Sequence, residues 1–276
     1  MEPFKYQDFA AIPCFTLEEW EKEFPHLVVG FSARRKGEDP DCRNYALHVG
    51  ERPELTVQNR RQLAEMLGMP FAAWTCAEQV HGVEVVHVTG EDRGKGNTTR
   101  ESAFENTDGM LTKETDVLLT AFFADCVPLY FYSPELDMVG VAHAGWKGTV
   151  GKIGTKVIDL LAQAGADRGN IRVAIGPSIG PCCYEVDDRV YEPLERAIAD
   201  PLALKRVAVS HIPGKWQLDL RKANAELLKQ AGVKPEHISV TKWCTSCDRD
   251  YFYSHRRDRG KTGRMVAWIG KKERRS

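Results

Sequence analysis

The chain has 276 residues, of which 42% are hydrophobic and 28% charged, and its 38 basic and 39 acidic side chains give a formal net charge of −1. This length can bury a substantial core, and the balanced charge argues against a broad electrostatic surface for nucleic acid. No apolar run approaches the roughly 18 residues of a membrane span, and the first residues lack the basic and apolar stretches of a secretory signal. We therefore expect a cytoplasmic protein with one domain over residues 1–276 and with neither membrane nor nucleic-acid partners.

Short apolar segments bounded by glycine or proline predict buried strands. In chain order they are residues 27–31, 72–76, 83–88, 116–123, 129–132, 138–142, 171–175, 238–242 and 265–269. Amphipathic segments between them predict helices at residues 57–67, 149–163, 189–199 and 219–231. The polar stretch at residues 90–106 predicts a long surface loop. Because strands and helices interleave without a regular βαβ repeat, we expect an α/β or α+β sandwich.

Three potential metal ligands stand at the ends of predicted strands. His81 lies between two of these strands, and Cys126 and His143 each follow one. Taken singly, such a histidine is usually a surface residue and such a cysteine usually belongs to the core. Together, two imidazoles and one thiolate are good zinc ligands, and three protein ligands leave the fourth position open for water or substrate. We therefore predict that the three residues form one catalytic, zinc-type site.

Short motifs surround these residues and continue through most of the chain. They are Gln-Val-His-Gly at residues 79–82, Ala-Asp-Cys-Val-Pro at 124–128, His-Ala-Gly-Trp-Lys-Gly at 143–148, Ile-Gly-Pro-Ser-Ile-Gly at 175–180 and Cys-Tyr-Glu-Val at 183–186. Further motifs open the chain at 30–34 and 44–50 and close it at 252–257 and 262–264. This set resembles the laccase-domain family, the YfiH-type group also labelled polyphenol oxidases. Residues 33–37 depart from its usual pattern, a threonine and a Gly-Gly pair, although Arg34 is retained.

The resemblance implies a fold, a metal and an activity. It implies a layered sandwich of mixed β-sheet and helices, similar to the deamidase domain of cytotoxic necrotizing factor, with zinc bound by the His-Cys-His set. It also implies phosphorolysis of adenosine, inosine and S-methyl-5'-thioadenosine to the base and (methylthio)ribose 1-phosphate, together with deamination of adenosine. The residues that we expect to contact nucleoside or phosphate are Arg34, Asn44, His48 and Arg256. A homodimer is one assembly that the sequence permits.

The label laccase suggests copper, and the histidines test it. The chain has eight histidines and no His-x-His pair, so it cannot supply the paired histidines of a multicopper oxidase. Copper could still enter the predicted His-Cys-His site, since divalent affinities favour it, and support weak polyphenol oxidation. The zinc-deaminase signature His-x-Glu is also missing from the sequence, so any deamination would be an independent solution.

An amidohydrolase is the alternative from another reaction class. Cys126 and His143 would then act as nucleophile and base, or zinc-bound hydroxide would attack an amide, for example in the editing of peptidoglycan precursors. The glycine-rich start of the predicted helix at residues 145–151 could bind an anion, although it is not a P-loop. Arg34, Arg256 and Arg257 could grip phosphate with bidentate hydrogen bonds.

The remaining cysteines include two close pairs. Cys244 and Cys247 form a Cys-x-x-Cys motif, and a structural zinc would need a second pair. Cys182 and Cys183 are adjacent, which is an unfavourable spacing for chelation. In a cytosolic chain we expect free thiols, with redox use or a second metal site as less favoured alternatives.

Overall fold

The computed structural model describes residues 1–9, 12–39 and 42–273. Its strands are β1 Lys5–Phe9, β2 Ile12–Thr16, β3 Leu27–Ser32, β4 Trp74–Cys76, β5 Val85–His87, β6 Gly109–Thr112, β7 Leu118–Phe123, β8 Val127–Ser133, β9 Met138–Ala144, β10 Arg172–Ile175, β11 Glu185–Asp187, β12 Ala208–Ile212, β13 Lys215–Leu218, β14 Ile238–Val240 and β15 Met265–Lys271. Its α-helices are α1 Glu18–Glu23, α2 Pro53–Met66, α3 Trp146–Val150, α4 Ile153–Gln163, α5 Asp188–Ala197, α6 Pro201–Val207 and α7 Leu220–Gln230. Within these described ranges, no helix is long and apolar enough to cross a membrane.

Two six-stranded sheets and one small sheet organise the chain. The first sheet has the order β1-β2-β3-β15-β7-β4, and only the β4–β7 pairing is parallel. The second has the order β14-β10-β8-β9-β6-β5, with parallel pairings at both edges. The small antiparallel sheet has the order β11-β13-β12. The two large sheets are therefore mixed.

The two large sheets pack face to face between outer helices. Alternate residues of β7 show this arrangement: Leu119 and Phe123 join the central core, which also contains residues of β8 and β9. Leu118 and Phe122 point the other way, into a core shared with Leu63 and Ala64 of α2. Helices α4 and α7 cover the opposite face of the second sheet. Because both faces of these strands are buried, their sequences are continuous apolar runs without polar alternation. The layered sandwich of sheet and helix predicted from the sequence is confirmed.

The predicted helix at residues 149–163 is two helices. Lys152 has a left-handed backbone, with φ of 60°, and it separates α3 from α4. The strand predicted at residues 129–132 is longer than expected, since Pro128 does not bound it but lies inside β8 opposite His143. Proline has no N–H to donate to a neighbouring strand, but its carbonyl accepts a hydrogen bond from Gly176 N at 2.9 Å. The sequence also did not predict the short or polar elements, namely β1, β2, β6, β11, β12, β13, α1 and α6.

Candidate metal centre

Three chain segments bring His81, Cys126 and His143 together. His81 lies in the turn between β4 and β5, Cys126 links β7 of the first sheet to β8 of the second, and His143 lies near the end of β9. One ligand atom from each side chain lies within 4.8 Å of the others. The cluster therefore lies at the end of the sandwich where a connection crosses from one sheet to the other. His143 is buried, Cys126 is half-buried and His81 is exposed, so the cluster opens outward on the His81 side.

Asp108 holds the turn that carries His81. The backbone N–H groups of Val80 and Gly82 donate to Asp108 Oδ2 at 3.1 and 2.7 Å, and that of His81 donates to Oδ1 at 3.1 Å. His81 itself has a positive φ of 61°, a conformation that histidine adopts more readily than most residues. Three successive N–H groups around one carboxylate make an anion-binding nest. Asp108 therefore sets the path of the backbone at His81.

The same carboxylate orients His143. His143 Nδ1 lies 2.7 Å from Asp108 Oδ1, and the backbone N–H of His143 donates to the Asp108 carbonyl at 2.7 Å. An imidazole that donates from Nδ1 to a carboxylate keeps Nε2 as its free ligand atom, and such pairs are common behind metal-binding histidines. Asp108 thus positions two of the three predicted ligands, although it contributes no ligand itself.

The electrostatics of the cluster favour a thiolate. Burial raises the pKa of Cys126, but the neighbouring His143 and His81 lower it by a larger amount. The net effect is a pKa lowered to about 6. Burial lowers the pKa of His143, but Cys126 and Asp108 outweigh this and raise it to about 9. Burial also opposes ionisation of Asp108, yet hydrogen bonds from His143 and from the nest leave its pKa lowered. Near neutral pH, Cys126 therefore carries the negative charge that a metal ligand needs.

Gly145 leaves space for the cluster. This residue precedes α3, and a Cβ built on it would lie 2.9 Å from Cys126 Sγ and 3.1 Å from His81 Cδ2. The first distance is too short for a side chain unless Cys126 shifts, and the second is tighter than an ordinary contact. The donor set, two imidazoles and one thiolate with an exposed side, fits a bound transition-metal ion with an open coordination position.

A cavity of about 360 Å³ adjoins the cluster. This volume lies within the range of small-molecule sites. The cluster residues form part of its wall. Its aromatic and aliphatic walls come from Phe122, Trp146, Ile179, Tyr184 and Leu220, and its polar groups come from His48, Gln79, Asp125, His255, Arg256 and Arg264. The arrangement combines flat apolar surface with two guanidinium groups beside the candidate metal ligands.

Two of the four residues predicted to contact substrate line this cavity. They are His48 and Arg256. The backbone N–H of Arg256 donates to Asp125 Oδ2 at 2.8 Å, and its Nη1 donates to the Glu185 carbonyl at 3.0 Å. Its guanidinium also lies over the ring of Tyr184, 5.1 Å from the centroid. Arg256 is therefore held in place before any ligand binds.

Arg34 and Asn44 do not line the cavity. Asn44 is fully buried, and its Nδ2 donates to the carbonyls of Ala46 and Val49 at 3.0 and 2.9 Å. Its Oδ1 accepts from the backbone N–H of Arg264 at 3.0 Å. Asn44 thus links the loop that carries His48 to Arg264, the residue directly before β15. The guanidinium of Arg34 lies over the ring of Tyr253 at 5.3 Å from its centroid.

The sequence analysis missed Asp108 and Arg264. Arg264 belongs to a closing motif, and the structure places it in the cavity wall. Asp108 lies just before β6 and is 3% exposed. A carboxylate that begins a buried strand after a long polar loop is the signal that could have identified it, because such a group requires several hydrogen-bond donors.

Comparison with known proteins places this chain in a family. Residues 28–272 match the family described as multi-copper polyphenol oxidoreductase laccase. The chain is 45% identical over 256 residues to the purine nucleoside phosphorylase YlmD of Geobacillus stearothermophilus, covering 91% of this chain and 92% of that protein. It is 42% identical over 251 residues to YlmD of Bacillus subtilis, also named a purine nucleoside phosphorylase, covering 90% and 89% of the two chains.

A solved structure has the same fold. The crystal structure of the Bacillus licheniformis hypothetical protein YfiH superposes with a TM-score of 0.90 at 37% identity, covering 99% of this chain and 100% of that one. The family match and these similarities confirm the relationship predicted from the motifs. The chain belongs to the multi-copper polyphenol oxidoreductase laccase family.

Proposed function

We propose that the protein is a metal-dependent purine nucleoside phosphorylase. Its substrates would be adenosine, inosine and S-methyl-5'-thioadenosine, cleaved by phosphate to the free base and the (methylthio)ribose 1-phosphate. The observation that carries the proposal is the open His-Cys-His cluster in the wall of a cavity of about 360 Å³. The names of the relatives at 45% and 42% identity support the substrate class. We place the activity in the cytoplasm, with a homodimer as one possible assembly.

The cavity walls suit both parts of the reaction. Phe122, Trp146 and Tyr184 offer aromatic surface for a purine and its ribose. Arg256 and Arg264 offer guanidinium groups for phosphate, which they can bind through paired hydrogen bonds. Burial, and then Arg264, lower the pKa of His48 to about 4. The part of this shift that comes from Arg264 reflects positive charge beside His48, which favours an anion in the cavity.

His81, Cys126 and His143 would hold zinc, with copper able to occupy the same ligands. A bound zinc would act as a Lewis acid and activate a water molecule. The chain's own residues prepare the site: Asp108 fixes the His143 ring and the His81 turn, and Gly145 leaves room beside Cys126. We propose adenosine deamination as a second reaction of this cavity. Oxidation of phenols by copper at these ligands ranks below both reactions.

A thiol amidohydrolase is the second candidate, and one observation favours it. Cys126, His143 and Asp108 form a series of nucleophile, base and orienting carboxylate, with 2.7 Å between His143 Nδ1 and Asp108 Oδ1. That mechanism gives no role to His81, although three backbone hydrogen bonds around Asp108 hold its turn against the same cluster. The metal-dependent function uses all three side chains and is therefore preferred.

The test follows the products of adenosine. Zinc-loaded protein is incubated with adenosine in the presence and absence of phosphate, and adenine, inosine and hypoxanthine are separated by chromatography. We expect adenine only with phosphate, and inosine from deamination with or without it. The same incubation is repeated with inosine and with S-methyl-5'-thioadenosine. If zinc-loaded protein turns over none of these three nucleosides, the proposal fails.

Removal of the metal separates the two candidates. We expect a chelator to abolish nucleoside cleavage and added zinc to restore it. A Cys42→Ser variant is a matched control, since Cys42 is a half-buried cysteine outside the cluster of His81, Cys126 and His143. Hydrolysis of an amide substrate by metal-free protein, lost in Cys126→Ser, would instead support the thiol mechanism.

A further inference from the structure

A second cluster of ligand side chains lies outside the cavity. The adjacent thiols of Cys182 and Cys183 meet the Cys-x-x-Cys pair of Cys244 and Cys247, and the four sulfur atoms all lie within 4.8 Å of one another. Cys244 is buried, Cys183 is half-buried, and Cys182 and Cys247 are exposed. The sequence favours free thiols over a second metal site, and the structure brings these four thiols into one group. No disulfide joins any of the eight cysteines, in agreement with the sequence-based prediction.

The spacing of the sulfur atoms fits one tetrahedral ion. Cys182 Sγ lies 3.3 Å from Cys247 Sγ and 3.6 Å from Cys244 Sγ, and Cys183 Sγ lies 3.4 Å from Cys247 Sγ. A tetrahedron with zinc–sulfur bonds of about 2.3 Å has sulfur–sulfur edges of about 3.8 Å. These three distances are slightly shorter than that edge and all six lie within 4.8 Å, so small movements of the thiols would let them surround an ion.

The backbone shows why adjacent cysteines can share a site. Neighbouring side chains of a strand point to opposite faces, but Cys182 and Cys183 lie in a turn closed by the hydrogen bond from Cys183 N to the Gly180 carbonyl at 3.0 Å. Their thiols can therefore point to the same side. The backbone N–H of Gly180 donates to Cys244 Sγ at 3.2 Å. Such donors stabilise a thiolate ligand.

We propose that Cys182, Cys183, Cys244 and Cys247 bind a second, structural zinc ion. Four thiolates complete a tetrahedron and leave no open position, which is the pattern of a structural site. Tetrahedral all-sulfur coordination selects zinc or iron, and zinc involves no redox change. The assignment is independent of the reaction carried out at His81, Cys126 and His143.

This ion would join two loops behind the first cluster. Thr245 follows Cys244, and its backbone N–H donates to the Ser178 carbonyl at 3.1 Å while its hydroxyl donates to Asp125 Oδ1 at 2.5 Å. On the other loop, the Ile179 N–H donates to the Asp125 carbonyl at 3.0 Å. Both loops thus contact the residue that precedes Cys126. The second ion would hold the cavity wall and the Cys126 segment in place.

Metal counting on matched variants tests the proposal. Wild-type protein, Cys247→Ser, Cys126→Ser and the control Cys42→Ser are produced with zinc, freed of loose metal and analysed by mass spectrometry for metal per chain. We expect about two zinc ions in the wild type and in Cys42→Ser, and about one in each of the other variants. If Cys247→Ser holds as much zinc as the wild type, or if the second metal is iron, the zinc assignment is overturned.

Cobalt substitution keeps the test valid if Cys247→Ser does not fold. Cys126→Ser removes the thiolate of the first cluster. Among the described residues, the four-cysteine cluster is then the group of potential metal ligands that still contains thiols. We expect this variant, loaded with cobalt(II), to show the intense visible and charge-transfer bands of tetrahedral thiolate coordination. Absence of these bands would overturn the proposal. The proposal would also be overturned if the protein, purified under reducing conditions, had an intact mass lowered by the hydrogens that are lost when a disulfide forms.

Discussion

The two clusters use similar ligands in opposite settings. The first gathers three ligands from distant segments beside a cavity of about 360 Å³. The second gathers four thiols from two short motifs, and none of them lines that cavity. A metal ion in the first cluster would therefore keep a coordination position that faces the cavity, whereas the second cluster could surround its ion completely. The comparison teaches that an open position and an adjoining cavity, rather than the presence of cysteine and histidine, distinguish a reaction centre from a structural one.

The largest expected effect separates the clusters by activity. Cys126→Ser should remove the metal of the first cluster and lower kcat/KM for phosphorolysis on the order of 10³-fold or more, because a hydroxyl is a poor replacement for a thiolate ligand. Steady-state assays with adenosine and phosphate measure the loss, and Cys42→Ser serves as the control. If Cys126→Ser keeps full activity, Cys126 is not part of the reaction centre.

The second prediction concerns a residue that binds no metal. Asp108→Asn should reduce the affinity of the first cluster for zinc roughly 10- to 100-fold, because the amide no longer offers two acceptor oxygens to His143 and the nest. Competition with a chromophoric chelator measures the affinity. The four-cysteine cluster should keep its metal in this variant. Equal weakening of both clusters would show general loss of structure and would remove Asp108 from its positioning role.

The sequence predicted the first cluster because its residues follow recognisable strands. His81, Cys126 and His143 each lie beside a segment whose apolar run is clear, and strand ends in a sandwich tend to converge. Asp108 could not be predicted in the same way. Its hydrogen bonds to His81 and His143 span 27 and 35 residues, and they depend on the register between β6 and β9.

The second cluster escaped prediction for a different physical reason. Sequence spacing shows that Cys182 and Cys183 are neighbours, but not that a turn directs both thiols to one side. It also cannot show that the loops at Ser178 and Cys244 run side by side through a parallel bridge. The layered fold was predictable because apolar runs report burial directly. The meeting of two irregular loops depends on hydrogen bonds that leave no periodic pattern.

The third prediction tests how tightly the first cluster is packed. Gly145→Ala places a methyl group about 2.9 Å from Cys126 Sγ, so the cluster must shift, and we expect kcat/KM to fall about 10-fold as ligand geometry is disturbed. Gly90→Ala is a matched control, since a Cβ at Gly90 meets nothing within 4 Å. Zinc content should remain near that of the wild type. Unchanged kinetics in Gly145→Ala would mean that the cluster tolerates displacement.

The smallest expected effect concerns Glu21, and it must be known before the loss of stability in acid can be interpreted. Protons compete with metal for both clusters, so stability that comes from bound metal should fall as the pH falls. Glu21 of α1 acts in the opposite direction. Burial, and then Glu18, raise its pKa from 4.5 to about 7. Since the folded state holds this proton more tightly, the stability that Glu21 contributes is fully present below pH 4.5 and is lost as the pH rises through about 7.

Glu21→Gln should therefore stabilise the protein at pH 8 and leave it unchanged at pH 4. One pKa unit corresponds to about 1.4 kcal/mol, and because Glu21 is only partly buried we expect a gain of ~1 kcal/mol. Thermal melts at the two pH values measure it, with Glu19→Gln on the same helix as the exposed control. Equal effects of Glu21→Gln at both pH values would contradict the sign of the pKa shift. In a Glu21→Gln background the contribution of Glu21 is removed. A loss of stability in acid that persists with Cys126→Ser but disappears with Cys247→Ser can then be assigned to the four-cysteine cluster.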